Sequence, residues 1–464
     1  MSIVHRCCAA LDVHKDSVTV CVRSGVSRRE QTLQTAKFGT FTEDLEQLAE
    51  WLQQRKVRHV AMESTGVYWK PVWNVLELTR RHFRLLLVNP AQVKALPGKK
   101  TDRRDAKRIC GYLQQGLLRG SFVPGRQQRE WRELTRRRTH LQGDRNCVIN
   151  RIRRLLETVN VKLGSVISNV VGKTGLAILR DLAAGQTDPE RLASNMFGRL
   201  KCTRAQMMAS LRGRFTEHFR WELKHLLAQL DFLDRQVAEY EARISESMAE
   251  HKDLLARLCT IPTVDLITAW TLLAEIGTDM SRFPTAAHLC SWAGLCPGNN
   301  ESAGKRFSGK TRKGDRYLRR TLVQNAWAPS HMKKGCLQQM FFGVARRRGM
   351  PKAAVAVAHR ILQIAYFIIR DGTMYREAGV EMDERKRQRT ARRLTRRLEE
   401  IGFEVTVKPR ARPSSIGSPR VPAAPGPLPG QTCTLCNGWG IACIHVRAAK
   451  RRQPKGLSNS EHGG

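Results

Sequence analysis

A chain of 464 residues exceeds the length at which one core usually stays undivided, and its 41% hydrophobic share is enough to build two or three folded units. Lys and Arg number 81 against 41 Asp and Glu, a formal net charge of +40 with a pI near 10.7. That balance lies outside ordinary globular composition and calls for a polyanionic partner, nucleic acid first. No run of about 18 apolar residues stands out, so no membrane span or membrane partner is expected.

The N-terminus, MSIVHRCCAALDVHKD, lacks the apolar stretch and cleavage pattern of a signal peptide. A cytoplasmic location is therefore expected, where 13 cysteines read as free thiols or metal ligands in preference to disulfides. Residues 7 to 23, CCAALDVHKDSVTVCVR, give two short β-prone runs joined by the polar turn His14, Lys15, Asp16, which predicts a hairpin. Residues 41 to 53 place Leu45, Leu48, Trp51 and Leu52 at helical spacing behind an acidic first turn. HVAM and RLLLVN then read as buried strands with a helix between them. Strands alternating with helices after an opening hairpin predict a mixed α/β layer fold, of which an RNase H-like sheet is one layout.

From Trp131 the periodicity changes. Trp131, Leu134, Arg138, Leu141, Arg145, Val148, Ile152, Leu155 and Val159 alternate steps of three and four, as do Leu223, Leu226, Leu230, Leu233, Val237, Tyr240 and Ile244. Two such seams can pair within one chain or between subunits, and the spacing does not choose. Arg138 and Arg145 depart from the apolar pattern and need a partner, an exposed position or DNA. A mainly helical unit follows from about Leu254 to Val380, with a basic polar stretch at 298 to 316, and then a basic helix, ERKRQRTARRLTRRLEEIG. The expected divisions are 1–125, 126–252, 253–380, 381–410, and 411–464, the last opening on a Pro/Gly/Ser-rich linker.

Four carboxylates stand out against this basic background. Asp12 interrupts an apolar strand, where an unpaired buried charge costs several kcal/mol, and Glu63 repeats the anomaly at the end of the next apolar strand. Asp102 and Asp105, in KKTDRRDAKRI, lie three apart and so share one face of a helix that Thr101 can cap. Phosphodiester chemistry uses hard cations about 4 Å apart, and Mg2+ prefers carboxylate oxygens. Lys99, Lys100, Arg103, Arg104 and Lys107 are then candidates for holding phosphates.

The stretches LDVHKDSVTVCV, HVAMESTGVYWKPVW and LLLVNPAQVKALPGKKTDRRDAKRI resemble the N-terminal domain of the insertion-sequence transposases named for an Asp-Glu-Asp-Asp (DEDD) set. LLAEIGTDMSRFPTAAHLCSWAGLCPGNNESAGKRFSGKTRKGDRYLRR resembles their C-terminal domain. The resemblance covers most of residues 5 to 380. It implies an RNase H-like (RuvC-like) mixed-sheet domain with Asp12, Glu63, Asp102 and Asp105 as Mg2+ ligands, a coiled-coil helical insertion, and a mainly helical domain. It also implies a serine nucleophile that links transiently to DNA, at the position of Ser302, with Ser308 in RFSGK as the competitor. DNA at element ends and target, a bridge RNA as guide, and a homo-oligomer, dimer or tetramer, follow as implied partners.

In the helix-hairpin-helix-like segment LCTIPTVDLITAWTLLAEIG, Thr263 and Asp265 occupy positions where a phosphate-gripping hairpin favours glycine. Lys305, Arg306, Lys310, Arg312, Lys313, Arg316, Arg319 and Arg320 are the better candidates for nucleic-acid contact. Near the end of the chain, Cys433, Cys436, Cys443 and His445 supply four N/S ligands, a count that fits tetrahedral Zn2+; a tail with incidental thiols is the competing reading. Two other functions fit the residues: a structure-selective nuclease using water in place of the serine, and a non-catalytic nucleic-acid-binding protein.

Overall fold

The computed structural model describes residues 3–26, 30–64, 66–79, 83–90, 105–298, 300–302, 305–377, 384–400, 402 and 404–406; at 105, 300–302, 305–308 and 384–390 it describes the backbone alone. Residues Met1–Val380 form one compact unit and Glu381–Gly464 a second. The first begins with the expected hairpin, β1 (Cys7–Val13) and β2 (Val18–Ser24), closed by a hydrogen bond from the amide of His14 to the carbonyl of Ser17 at 2.9 Å. β3 (Thr32–Phe38) pairs antiparallel with β2. It escaped the sequence reading because TLQTAKF is a largely exposed edge strand with no apolar alternation to betray it.

After α1 (Thr42–Gln54), β4 (His59–Glu63) lies parallel to β1; after α2 (Trp69–Leu78), β5 (Arg84–Val88) lies parallel to β4. The sheet order is β3-β2-β1-β4-β5. Strand alternation divides β1 cleanly. Leu11, Val13 and their neighbours face a core with Leu45, Leu48, Leu52, Trp73 and Leu76 from α1 and α2. Cys8 and Ala10 face the other way, onto Ile109, Cys110 and Leu113 of α3 (Asp105–Gln114). Burial on both faces explains why these strands read as continuous apolar runs.

Two long helices, α4 (Arg126–Thr158) and α9 (Glu217–Ser247), pack antiparallel within the chain, which answers the pairing question left open by the seams. The antiparallel sense is fixed by contacts that run in opposite order: the Trp131 indole donates to the carbonyl of Ser247 at 3.2 Å, Arg138 to Glu241 at 2.9 Å, and Arg145 to Asp234. Arg138 and Arg145 therefore depart from the apolar pattern because each meets a carboxylate on the facing helix. At the far end, α5 (Leu163–Val166), α6 (Lys173–Ala183), α7 (Pro189–Ala193) and α8 (Arg204–Ser210) build a core shared with both long helices.

The chain then forms α10 (Lys252–Cys259), α11 (Leu266–Ile276), α12 (Ala286–Trp292), the two-stranded hairpin β6 (Asn300–Ser302) and β7 (Lys305–Ser308), α13 (Arg316–Asn325), α14 (Cys336–Arg348) and α15 (Met350–Asp371). α15 is long and apolar enough to cross a membrane by length and composition, a property that the uninterrupted-run criterion missed because His359 and Arg360 break the run. Its Ala353, Val357, Ile361, Leu362 and Ala365 are fully buried against α12, α13 and α14, which is the packing of a core helix. In the second unit, α16 (Glu384–Glu399) is the basic helix expected from the sequence.

Candidate functional site

The parallel register that pairs Leu11 with Met62 brings Asp12 and Glu63 to the next position on neighbouring strands. By alternation Asp12 shares a face with Ala10, and Glu63 with Ala61; both alanines belong to the core under α3. The direction of α3 is set by its contacts. Cys110 stands beside Cys8, with the sulfurs 3.9 Å apart, and the carbonyl of Gln114 accepts from the amides of Val4 at 2.9 Å and His5 at 3.1 Å. The C-terminus of α3 thus lies at the start of β1, and its N-terminus, Asp105, at the end of the sheet that carries Asp12 and Glu63. An acid in the first turn also suits the helix dipole.

Asp12 is partly buried, with its side chain 20% exposed, and its Oδ2 lies 3.2 Å from Nε2 of His14. His14 is held there by the hairpin turn, two residues on. Asp102, with Lys99, Lys100, Arg103 and Arg104, lies outside the described residues, and for Asp105 only the backbone is described. Among the described residues no three His, Cys, Asp or Glu side chains gather in a group able to hold a metal. The donor chemistry still fits Mg2+: hard carboxylate oxygens at strand ends, in a setting without described soft ligands at the same point. Cys8, Cys21 and Cys110 sit behind the carboxylates in the core; hydrogen bonding with Cys110 and burial hold the Cys21 thiol well above its ordinary range, so it stays protonated.

Ser302 ends β6 and Ser308 ends β7, so the basic polar stretch contains a short hairpin. Beyond it the amide of Gly298 donates to the carbonyl of Lys310 at 2.9 Å, and Pro297 bridges Thr311. Lys305 and Arg306 lie on β7. Arg312, Lys313, Arg316 and Arg320 are exposed, and Arg319 reaches the carbonyl of Arg312 at 3.5 Å. The positive residues expected to touch phosphate thus frame the hairpin.

In the helix-hairpin-helix-like turn between α10 and α11, threonine and aspartate stand where glycine was expected. Thr263 adopts φ +77°, a left-handed conformation that a β-branched residue rarely takes, and its Oγ1 is buried without a hydrogen-bond partner. Asp265 caps α11, accepting from the amide of Thr268 at 2.8 Å. The turn keeps the glycine-like backbone at the cost of strain.

A buried charge cluster was missed in the sequence. Glu275 on α11 is 0% exposed, and Arg136 of α4 meets it as a fork, with Nε and Nη2 each 2.8 Å from a carboxylate oxygen. Arg132 adds a contact at 3.0 Å, and Arg136 extends to Asp315 at 3.4 Å. Burial pushes the Glu275 carboxyl above its ordinary range, against the pull of the Arg136 hydrogen bond. The signal was available: Glu275 is a lone acid in LITAWTLLAEI, the same anomaly that singled out Asp12.

Residues 9–161 match a family model described as a transposase, of the DEDD kind named for IS110, and residues 255–340 match the transposase IS116/IS110/IS902 family. The chain is 33% identical over 164 residues to an uncharacterised protein of insertion element IS110 from Streptomyces coelicolor, covering 34% of this chain and 39% of that protein. It is 27% identical over 293 residues to a putative transposase of Sinorhizobium fredii, covering 60% and 65%. A protein of insertion element IS900 from Mycobacterium paratuberculosis is 28% identical over 149 residues, covering 32% and 37%. The matched region thus spans less than two thirds of the length of each of these relatives. Two matched regions that take in just over half of the residues, in the order of the two motif blocks, place the chain in the IS110 family of insertion-element transposases.

Proposed function

We propose that the chain is the transposase of an insertion sequence, cleaving and exchanging DNA strands with Asp12, Glu63, Asp102 and Asp105 as Mg2+ ligands and Ser302 as the attacking group. One observation supports this above the others: Asp12 and Glu63 lie near the C-terminal ends of adjacent parallel strands on one face, and the N-terminus of α3 lies at the same end. The order β3-β2-β1-β4-β5, an antiparallel meander followed by two parallel strands, agrees with an RNase H-like domain.

When bound, Mg2+ would activate the attacking oxygen and stabilise charge on the leaving one. Ser302 supplies the oxygen. Its bond to phosphorus forms as the bond from phosphorus to one deoxyribose oxygen breaks; the serine proton ends on that oxygen, and a phosphoserine link remains. Attack by a deoxyribose hydroxyl of the second strand reverses the step and joins the new strands. Arg312, Lys313, Arg316, Arg319 and Arg320, with Lys305, Arg306 and Lys310, hold the backbone phosphates. A bridge RNA carries sequence choice by base pairing, and a homo-oligomer supplies the active sites a strand exchange needs. Cys433, Cys436, Cys443 and His445 lie outside the described residues and stand as a separate candidate Zn2+ set on their residue types alone.

Denaturing gels of the full chain with labelled duplexes from the DNA flanking its coding sequence test this reading. A covalent protein–DNA adduct that needs Mg2+ and is abolished by Ser302→Ala is the expected result. Cleavage without any adduct identifies a water-using nuclease and removes the serine from the mechanism. Binding without metal-dependent cleavage identifies a non-catalytic nucleic-acid-binding protein.

A further inference from the structure

Beyond the Gly298–Lys310 and Pro297–Thr311 contacts at the base of the β6–β7 hairpin, the segment that leads from it into α13 is tied down in two further places. On one side, Gly314 lies backbone to backbone with Gly294, so close that a Cβ on Gly314 would stand 2.3 Å from the amide nitrogen of Gly294. On the other, Asp315 caps α13 through one oxygen, accepting from the amides of Tyr317 at 3.0 Å and Leu318 at 2.9 Å, while its second oxygen takes the Arg136 contact at 3.4 Å. Arg136 is itself fixed by the fork to buried Glu275. Arg132, from the preceding turn of α4, donates to the carbonyl of Ala274 at 3.2 Å and completes the clamp on the C-terminal turn of α11. Helix α4 leads directly out of the region that carries the sheet.

We propose that Glu275 is a positioning residue: through Arg136 and Asp315 it fixes the root of the β6–β7 hairpin to α4, so that Ser302 is presented in one orientation relative to the helix that continues from the sheet domain. Glu275 touches no substrate. The functional consequence rests on the reading of Ser302 as nucleophile; the rooting does not. A buried carboxylate that only glued α11 to α4 would need two arginines but no link to Asp315. The chain Glu275, Arg136, Asp315 instead ends on the N-cap of α13, at the far end of the segment that follows the hairpin. A fork of two parallel hydrogen bonds fixes guanidinium orientation as well as distance, which a lysine would not do.

Glu275→Gln leaves two buried guanidiniums short of a charge and tests folding as much as function. Asp315→Asn is cleaner. Asparagine caps a helix as well as aspartate does, so α13 and the Glu275 fork survive and only the charged link from Arg136 is lost. In the full chain, hydrogen exchange across residues 298–311 should rise about tenfold in Asp315→Asn, with α11 and α15 unchanged and the melting temperature held within a few degrees. With the flanking-DNA duplexes, the adduct rate should fall about tenfold at unchanged DNA affinity. Unchanged hairpin exchange in Asp315→Asn, or exchange that rises equally through α11 and α15, overturns the proposal, as does an adduct rate equal to wild type. An adduct that survives Ser302→Ala sinks the serine reading alone and leaves the rooting to be decided by exchange.

Discussion

Asp12 and Glu63 stand one position beyond the paired residues Leu11 and Met62, on adjoining parallel strands and on the same face of the sheet. Two carboxylates so placed repel unless a cation lies between them or one is protonated. Asp12→Asn and Glu63→Gln should each lower DNA cleavage by about 100-fold or more while DNA affinity and far-ultraviolet circular dichroism stay at wild-type values. Mg2+ at about 100 times its dissociation constant should stabilise the wild type by about 2.7 kcal/mol and neither variant. Equal stabilisation of all three places the metal elsewhere.

The exposed arginines beside the hairpin give a second expectation. Each phosphate contact contributes about 0.9 to the slope of log affinity against log salt for duplex DNA. Replacing Arg312, Arg316 and Arg320 together by Gln should therefore flatten that slope by between two and three such increments, read by fluorescence anisotropy over a salt series. A slope unchanged by all three substitutions removes this surface from the interface.

Between the long helices, Arg138 and Glu241 offer a test of what holds them together. The Arg138 side chain is 13% exposed and that of Glu241 35%, so removal of the arginine leaves a half-buried carboxylate without this partner. Arg138→Ala should cost about 1–3 kcal/mol in urea unfolding. Replacing both by Leu should be neutral or stabilising, because the seam around the pair is apolar except for Arg145 with Asp234.

Arg129 on α4 donates to Glu77 on α2 at 3.2 Å, and this hydrogen bond holds the Glu77 carboxyl below its ordinary value of 4.5. A carboxylate lowered in the folded state contributes stability above its unfolded value and loses it as pH falls through the folded one. The melting temperature of wild type should thus exceed that of Glu77→Gln at neutral pH, and the gap should close progressively as pH drops below about 4.5. A gap that widens with acidity contradicts the pairing.

Strain at the α10–α11 turn predicts a gain. Thr263→Gly relieves the φ +77° conformation and removes the unpartnered hydroxyl, against the greater freedom of glycine in the unfolded chain. The balance should stabilise the protein by about 1 kcal/mol, measured by chemical denaturation. A loss of stability means that the Thr263 methyl packs better than its backbone suffers.

Much of this was legible in the sequence for a simple reason: acids in apolar strands are conspicuous. Asp12 announced itself inside an apolar strand and Glu63 at the end of one, and the strand register sets them at neighbouring positions. Glu275 carried the same signal on a helix and went unread, because its partners, Arg132 and Arg136, lie more than a hundred residues earlier and look like part of a solvated basic face. The seams showed two long helices but not whether one chain pairs them, since heptad spacing is indifferent to where the partner comes from; Arg138 with Glu241 and Arg145 with Asp234 decide it. β3 and the β6–β7 hairpin were missed because short or exposed strands have too few inward positions to set a period.

The most direct test of the four-carboxylate site is affinity cleavage with Fe2+ in place of Mg2+. Iron bound at the site, with ascorbate and peroxide, generates hydroxyl radicals that cut the nearest backbone. Cuts clustered near residues 12, 63 and 102–105, suppressed by excess Mg2+ and lost in Asp12→Asn, are the predicted result. Cuts confined to other segments, or cuts at these three that Mg2+ does not suppress, would contradict a shared Mg2+ site.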